Sequence, residues 1–187
     1  MGKYGIIYAD PPWSFKTYSD KGKGRSAENH YSVLTIADIC ALQVADIAAE
    51  DSVLFLWVNG PRLFEAQDVI NAWGFTYKSP GFTWVKQNKS GIGFPIACGY
   101  WTRANPEMCV LATRGKPKRI DASIPNLIMS PRREHSRKPD EVRERIVRLV
   151  GDLPRIELFG RQRTPGWDVW GNEVESDIVL MAGVQNG

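Results

Sequence analysis

The sequence has little of what metal centres, disulfide scaffolds and membrane proteins require. Its 187 residues include three cysteines and two histidines, and the cysteines, at positions 40, 98 and 109, are too widely spaced for a disulfide framework or a zinc site. No segment is long and apolar enough to span a membrane, and the N-terminal residues do not read as a signal peptide. We therefore expect no metal, no membrane contact and a reducing, cytoplasmic compartment.

A large excess of charge of one sign is also absent, because the net charge is only +3. The chain has no G-x-G-x-x-G pattern, so a dinucleotide-binding fold has no direct support. Positive charge is instead local, in two dense runs at 116–119 and 132–138. Such runs either contact phosphates or form a solvated face, and the sequence leaves both interpretations open.

The pattern along the chain predicts one α/β domain over residues 1–187, with a mostly parallel sheet. Short apolar runs predict strands at 4–9, 52–58, 82–86, 108–112 and 155–159, and apolar periodicity predicts helices at 35–49, 61–74 and 139–151. Two long segments, the loop 16–31 and the insertion 87–105, contain glycine, aromatic and basic residues. Segments of this length in a compact domain are usually functional or disordered, and we expect both to frame a substrate near residue 10.

The first predicted strand ends in a tetrapeptide with the groups needed for chemistry on an amine, Asp10-Pro11-Pro12-Trp13. The exocyclic amine of adenine is a poor nucleophile because its lone pair is delocalised into the ring. The Asp10 carboxylate and a proline carbonyl could accept its two N–H bonds and localise that lone pair, while Trp13 offers a face for a base. The alternative is a strand that ends in a Pro-Pro turn beside a packed tryptophan.

Two further groups of residues could hold a methyl donor. Lys138 occupies the expected cap position of the last predicted helix, where an anion would find both the ammonium and free backbone N–H groups. A cap lysine adds little to the fold, and its alternative role is a solvated residue. Glu157, Arg161 and Asn172 could bond ribose hydroxyls and an adenine edge, with a surface salt bridge and a turn as the alternative.

Taken together, these segments resemble the adenine-N(6) methyltransferase family that includes the catalytic subunit of the eukaryotic mRNA adenosine methyltransferase (the MT-A70-like family). The likeness covers nearly the whole chain. The matching segments, in order, are Ala9-Asp10-Pro11-Pro12-Trp13, Leu54-Phe55-Leu56-Trp57-Val58, Trp84-Val85-Lys86, Lys138-Pro139-Asp140-Glu141, Ile156-Glu157-Leu158-Phe159-Gly160-Arg161 and Gly171-Asn172.

The resemblance implies a Rossmann-like S-adenosylmethionine-dependent methyltransferase fold with helices on both faces of the sheet and a circularly permuted motif order. It implies that Asp10, Pro11, Pro12 and Trp13 are catalytic. The implied cofactor-binding residues are Asp10, Lys138, Glu157, Phe159, Arg161, Arg163, Thr164, Asn172 and Glu173. The implied substrate-side residues are Trp13, Tyr31, Trp57 and Glu107. The chain departs from the family pattern at Arg163 and Thr164, which stand where the family has a His-Asn pair.

The resulting prediction is S-adenosylmethionine-dependent methylation of the adenine N6 amine in DNA. The preference for DNA rests on likeness to short bacterial or phage members of the family. An RNA adenine methyltransferase is the alternative enzyme, since both substrates present the same amine, and a catalytically inactive nucleic-acid-binding partner subunit is the alternative of another class. Cytosine amine methylation is a third option that the overall likeness disfavours. The sequence leaves the oligomeric state open, a dimer included.

Overall fold

A computed structural model describes residues 3–14, 34–97, 99, 101–133 and 137–181. The strands are β1 (Tyr4–Ala9), β2 (Ala48–Val58), β3 (Thr76–Gln87), β4 (Glu107–Arg114), β5 (Leu127–Pro131), β6 (Arg155–Leu158) and β7 (Asp168–Trp170). The helices are α1 (Ile36–Ala41), α2 (Val44–Ile47), α3 (Ala66–Ala72) and α4 (Glu141–Val150), with a 3₁₀ turn at Gly60–Arg62.

The seven strands form one sheet in the order β5-β3-β4-β2-β1-β6-β7. Strand β4 runs antiparallel to both its neighbours, and the other strand pairs are parallel. The predicted α/β fold with a mostly parallel sheet is therefore confirmed. Because six strands point the same way, their carboxyl ends share one edge of the sheet, and β4 and α4 begin at that edge. We call it the carboxyl edge.

Helices cover both faces of the sheet, as the resemblance implied. Val142, Ile146 and Val150 of α4 are buried against one face, in a layer that includes Tyr8 and Trp57. The opposite layer contains buried residues of α1 and α3, among them Ile39 and Ile70, together with Trp73, which follows α3. Helix α4 ends at Val150, and the next residue, Gly151, has a φ of 99°, a conformation that favours glycine.

Several predicted boundaries were wrong for identifiable reasons. The helix predicted at 35–49 is two short helices, and residues 48–50 already belong to β2. The helix predicted at 61–74 is the 3₁₀ turn followed by α3. Strand β3 begins six residues earlier than predicted, because Pro80, which disfavours a strand, sits between two register shifts. Strands β5 and β7 were not predicted, because each is short and is one of the two outermost strands of the sheet.

Among the described residues, no helix combines the length and the apolarity that a membrane crossing needs.

Candidate active site at the carboxyl edge

The tetrapeptide that follows β1 lies at the carboxyl edge, and its backbone is tied to neighbouring segments. The Asp10 N–H donates to the Leu158 carbonyl at 3.4 Å, which joins the ends of β1 and β6. The Pro11 carbonyl accepts the Trp13 N–H at 2.8 Å, and the Pro12 carbonyl accepts the Leu34 N–H at 3.1 Å. Because a carbonyl oxygen has two lone pairs, each proline retains acceptor capacity for a substrate amine.

Four charged side chains meet beside this tetrapeptide in alternating sign. The Lys138 ammonium donates to Asp10 Oδ2 at 2.6 Å and lies 3.2 Å from Glu107 Oε2. The Lys86 ammonium lies 2.5 Å from Glu107 Oε1. The Lys138 side chain is 10% exposed, whereas those of Asp10 and Glu107 are 25% and 28% exposed. The four side chains thus contact one another, and both carboxylates remain accessible to a ligand.

The electrostatics of the cluster set the two carboxylates apart. Burial raises the pKa of Asp10 above its usual range, and the nearby Lys138 only partly opposes that effect. Burial also acts to raise the pKa of Glu107, but Lys138 and Lys86 together lower it below its usual range. For Lys138, burial would lower the pKa, yet Asp10 and Glu107 raise it above the ordinary lysine range. The lysine is therefore firmly protonated.

The expectation that Lys138 caps the last helix was wrong. The residue that caps α4 is Asp140, and its side chain makes no capping hydrogen bond. Lys138 lies two residues earlier and turns its ammonium toward β1 and β4 instead. Its contacts also argue against the expectation that it adds little to the fold, because its removal would leave Asp10 without a cation and Glu107 with Lys86 alone.

Neither Trp13 nor Trp57 presents an open face. Trp13 is 5% exposed, and its Nε1 donates to the Trp57 carbonyl at 2.8 Å. Trp57 is 1% exposed and lies beneath Lys138, whose ammonium is 5.4 Å from the ring centroid. The predicted stacking of a substrate base on Trp13 does not match this position, because its ring is packed in the core. Trp57 likewise contacts Lys138 rather than a substrate surface.

Glu157 is placed away from the role that the resemblance implied. It is 8% exposed, and both its carboxylate oxygens accept from Arg143, at 2.7 and 2.8 Å. A carboxylate held in this bidentate pair is not presented to a ribose hydroxyl. Its position in β6 opposite Tyr8 instead makes it the partner that a buried arginine requires.

The loops after β6 and β7 approach each other very closely. A Cβ added to Gly171 would lie 2.0 Å from the Gly160 carbonyl oxygen, so only glycine fits there. This approach brings Arg161 and Glu173 into an ion pair of 3.5 Å, with Asn172 exposed between β7 and Glu173. Phe159, with φ of 63°, packs edge-on against Trp170 at 5.2 Å. Four of the implied cofactor-binding residues, Phe159, Arg161, Asn172 and Glu173, thus lie on two adjoining loops.

Arg163 and Thr164 turn toward a different space. They line a cavity of about 530 Å³ between α4 and the 162–167 segment, and neither Asp10 nor Lys138 is among its lining residues. Arg163 also pairs with Asp177 at 2.8 Å. The structure therefore does not bring these two residues to the Asp10 cluster.

The basic runs and long segments divide between the two edges of the sheet. Arg132 and Arg133 follow β5 at the carboxyl edge and are exposed. The run 116–119 follows β4, which ends on the opposite side of the sheet from the Asp10 cluster. Its contact with phosphates stays a prediction. The insertion 87–105 leaves β3 at the carboxyl edge and exposes Trp101 and Phe94. The loop 16–31 and Tyr31 lie outside the described residues.

The donor set fits the amino-acid end of S-adenosylmethionine. That end carries a carboxylate and an ammonium, and the site offers a lysine beside an aspartate. If the ion pair between Lys138 and Asp10 opens, Lys138 can bind the carboxylate of the ligand and Asp10 can bind its ammonium. The adjoining loops of Arg161 and Asn172 at the same edge provide polar groups for the nucleoside end.

Three residues of the site had escaped the sequence interpretation: Lys86, Tyr8 and Arg143. The signals were present but weak. Glu157 within an apolar strand implies a buried cation, and Arg143 beside the apolar stripe of α4 is the residue that supplies it. Tyr8 shares a strand face with Asp10 because side chains alternate along β1. Lys86 had no signal other than its place in the Trp84-Val85-Lys86 segment.

Comparison with known proteins agrees with this geometry. The sequence profile of the MT-A70 family matches residues 4–173. The chain is 31% identical to the Type II methyltransferase M.MunI of Mycoplasma sp over 95% of this chain and 80% of that protein. It is 30% identical to the human N(6)-adenosine-methyltransferase catalytic subunit METTL3 over 96% of this chain but only 30% of that longer protein. The chain therefore belongs to the MT-A70 family of S-adenosylmethionine-dependent adenine-N(6) methyltransferases.

Proposed function

We propose that this protein methylates the N6 amine of adenine in DNA, with Asp10 as the group that accepts from that amine. The observation that carries the proposal is the 2.6 Å pair between Asp10 and Lys138 at the carboxyl edge, next to the Pro11 carbonyl. This places an anionic acceptor, a neutral acceptor and a buried cation where ligands bind in open α/β sheets.

In this assignment Lys138 and Asp10 hold the carboxylate and the ammonium of the methyl donor. The Pro11 carbonyl and the Asp10 carboxylate accept the two N–H bonds of the adenine amine. When bound, S-adenosylmethionine supplies a methyl group activated by its sulfonium charge. Transfer of that methyl group to N6 would break its bond to sulfur and leave a neutral thioether as the leaving group, and the alkylated nitrogen would release one proton. We assign that proton to Asp10, since burial raises the pKa of that carboxyl. Glu107 adds a second negative charge nearby.

The preference for DNA over RNA has a specific basis. M.MunI is close to this chain in length, since the match covers 80% of it, and type II methyltransferase is a term used for enzymes that modify DNA. The matches to relatives named N(6)-adenosine-methyltransferases cover 25–30% of those proteins. RNA is the second candidate, because these relatives are about equally similar to the chain.

Substrate approach is assigned to the exposed groups of the carboxyl edge. In the insertion 87–105, Trp101 is 91% and Phe94 53% exposed. Since Trp13 is packed in the core, these exposed rings are better placed than Trp13 to stack on unpaired bases. Exposed Arg132 supplies positive charge for phosphates at the same edge, whereas its neighbour Arg133 is paired with Asp140.

The deciding experiment offers the protein a labelled methyl donor with DNA or RNA of matched sequence, single- and double-stranded, and identifies the methylated nucleoside by mass spectrometry. We expect N6-methyldeoxyadenosine, and a loss of at least ~100-fold in turnover for Asp10→Asn, the scale of losing an acceptor in a preorganised site. Methylation of RNA alone would reverse the substrate assignment. Binding without methylation of either would favour the inactive partner subunit.

A further inference from the structure

Beneath Lys138 lies a line of buried polar groups that the assigned roles leave unused. The Trp57 ring sits under the ammonium, with 5.4 Å between the nitrogen and the ring centroid. The Trp57 Nε1 donates to the Tyr8 hydroxyl at 2.7 Å, and both side chains are 1% exposed. A buried indole hydrogen bond in this position decides how the ring is turned beneath the cation.

Arg143 contacts both the Tyr8 ring in this group and the segment that carries Lys138. Its guanidinium lies 5.5 Å from the centroid of the Tyr8 ring and is held by both oxygens of Glu157. It also lies 3.3 Å from a carboxylate oxygen of Asp140, two residues beyond Lys138. One side chain therefore touches both the support beneath the Lys138 ammonium and the backbone segment on which Lys138 stands.

We propose that Tyr8 is a positioning residue, whose hydroxyl holds Trp57 flat beneath Lys138 and so keeps the ammonium aimed at the ligand that Asp10 also binds. The inference rests on the role proposed above for Lys138 in holding the donor carboxylate. Without the Tyr8 hydroxyl, the buried Trp57 N–H lacks an acceptor, and the ring turns to find one. The attraction of a cation to an aromatic face depends on its position over that face, so Lys138 shifts as well.

If this hydrogen bond has a purely structural role, its loss would lower the stability of the protein and leave the affinity for the ligand unchanged. The test therefore measures the dissociation constant for S-adenosylmethionine by calorimetry, together with KM, kcat and the melting temperature. The variant is Tyr8→Phe, which keeps the ring and its packing. The matched control is Trp73→Phe, because the Trp73 Nε1 donates to the Ile39 carbonyl at 2.9 Å in the opposite layer and is equally buried.

We expect Tyr8→Phe to raise the dissociation constant and KM for S-adenosylmethionine about tenfold, with kcat changed less than about twofold. Trp73→Phe should lower the melting temperature comparably and leave both constants unchanged. Trp57→Phe removes the same bond from the donor side, so it should raise the dissociation constant too. The double variant of Tyr8 and Trp57 should then bind S-adenosylmethionine no more weakly than the weaker-binding of the two single variants, because both substitutions remove the same hydrogen bond.

Lys138→Met separates failure of this inference from failure of the site assignment. If Lys138→Met weakens S-adenosylmethionine binding while Tyr8→Phe leaves it unaltered, the positioning role is overturned and the site assignment stands. If Lys138→Met itself leaves the affinity unaltered, the premise falls and the inference with it. An additive double variant of Tyr8 and Trp57 would also overturn it, because the two side chains would then act separately.

Discussion

At the residue scale, the central feature is a lysine shared by two carboxylates of unequal basicity. Lys138 bonds Asp10 at 2.6 Å and Glu107 at 3.2 Å, and Lys86 supports only Glu107. Asp10, the proposed acceptor for the substrate amine, is thus the less stabilised of the two as an anion. This inequality is suited to a group that takes up a proton during turnover.

The pH dependence of the reaction follows from Asp10. A protonated carboxyl is a weaker acceptor and cannot take up the proton that the amine releases, so activity should fall as the pH falls through the pKa of Asp10. Because burial raises that pKa, the acidic limb of kcat/KM should lie above the ordinary aspartate value of about 3.9. Initial rates across pH 3.5–8, with melting temperatures as a check on folding, measure it. A limb at or below about 3.9 would argue against Asp10 as the titrating acceptor.

Lys138 should contribute measurably to stability as well as to binding. Its raised pKa means a contribution that is complete at neutral pH and lost as the pH rises through that pKa. We expect Lys138→Met to cost about 1–3 kcal/mol at pH 7, because Asp10 then lacks its cation. The deficit should shrink as the pH falls and the carboxylates become protonated.

Denaturant unfolding of wild type and Lys138→Met between pH 4 and 8 measures this deficit. Lys118→Met is the matched control, since Lys118 is exposed at the opposite edge and should change stability by less than about 0.5 kcal/mol. A deficit that is independent of pH would show that Lys138 acts through packing rather than through charge.

At the element scale, the loops after β6 and β7 are built to touch. A Cβ on Gly171 would lie 2.0 Å from the Gly160 oxygen, and Gly160 itself donates to the Trp170 carbonyl at 3.0 Å. We expect Gly171→Ala to cost about 1–3 kcal/mol of stability by forcing the loops apart. It should also weaken S-adenosylmethionine binding, because Asn172 and Glu173 move with the loop.

Calorimetry and thermal unfolding of Gly171→Ala test this expectation. Gly60→Ala is the control, because a Cβ there would meet no atom within 4 Å. Equal effects of the two substitutions would mean that the close approach of the loops is unimportant for the site.

At the scale of the whole molecule, the two basic runs lie at opposite ends of the strands, and only one of them is at the same end as the Asp10 cluster. Arg132 is exposed at the carboxyl edge, whereas the run 116–119 lies at the opposite edge. Arg132→Ala should weaken nucleic-acid binding and reduce the salt slope by about 1, the effect of losing one phosphate contact. Lys118→Ala should change neither. Binding titrations at several salt concentrations test this prediction. A larger effect of Lys118→Ala than of Arg132→Ala would indicate that the nucleic acid binds at the opposite edge.

The sequence by itself determined the class of fold and the family, and it predicted where the chemistry takes place. Local apolar runs and their period are properties of neighbouring residues, so they located β1, β2, β4, β6 and α4 within a few residues. The Asp10-Pro11-Pro12-Trp13 and Lys138-Pro139-Asp140-Glu141 segments, with their spacing, were enough to indicate the family. Strand β5, strand β7 and the start of β3 could not be predicted from local sequence. The pairing of the outermost strands and the bulges around Pro80 depend on partners distant along the chain.

Only the tertiary structure decided what each candidate side chain touches. Lys138 and Asp10 are 128 residues apart in the chain, and their contact depends on the register of β1 and on where α4 begins. The reversal of β4 brings Glu107 to the site and carries the 116–119 run away from it. Burial turned Trp13 and Trp57 into core residues, and pairing with Arg143 occupied Glu157. Contacts of this kind arise from strand order and packing, which no local pattern encodes.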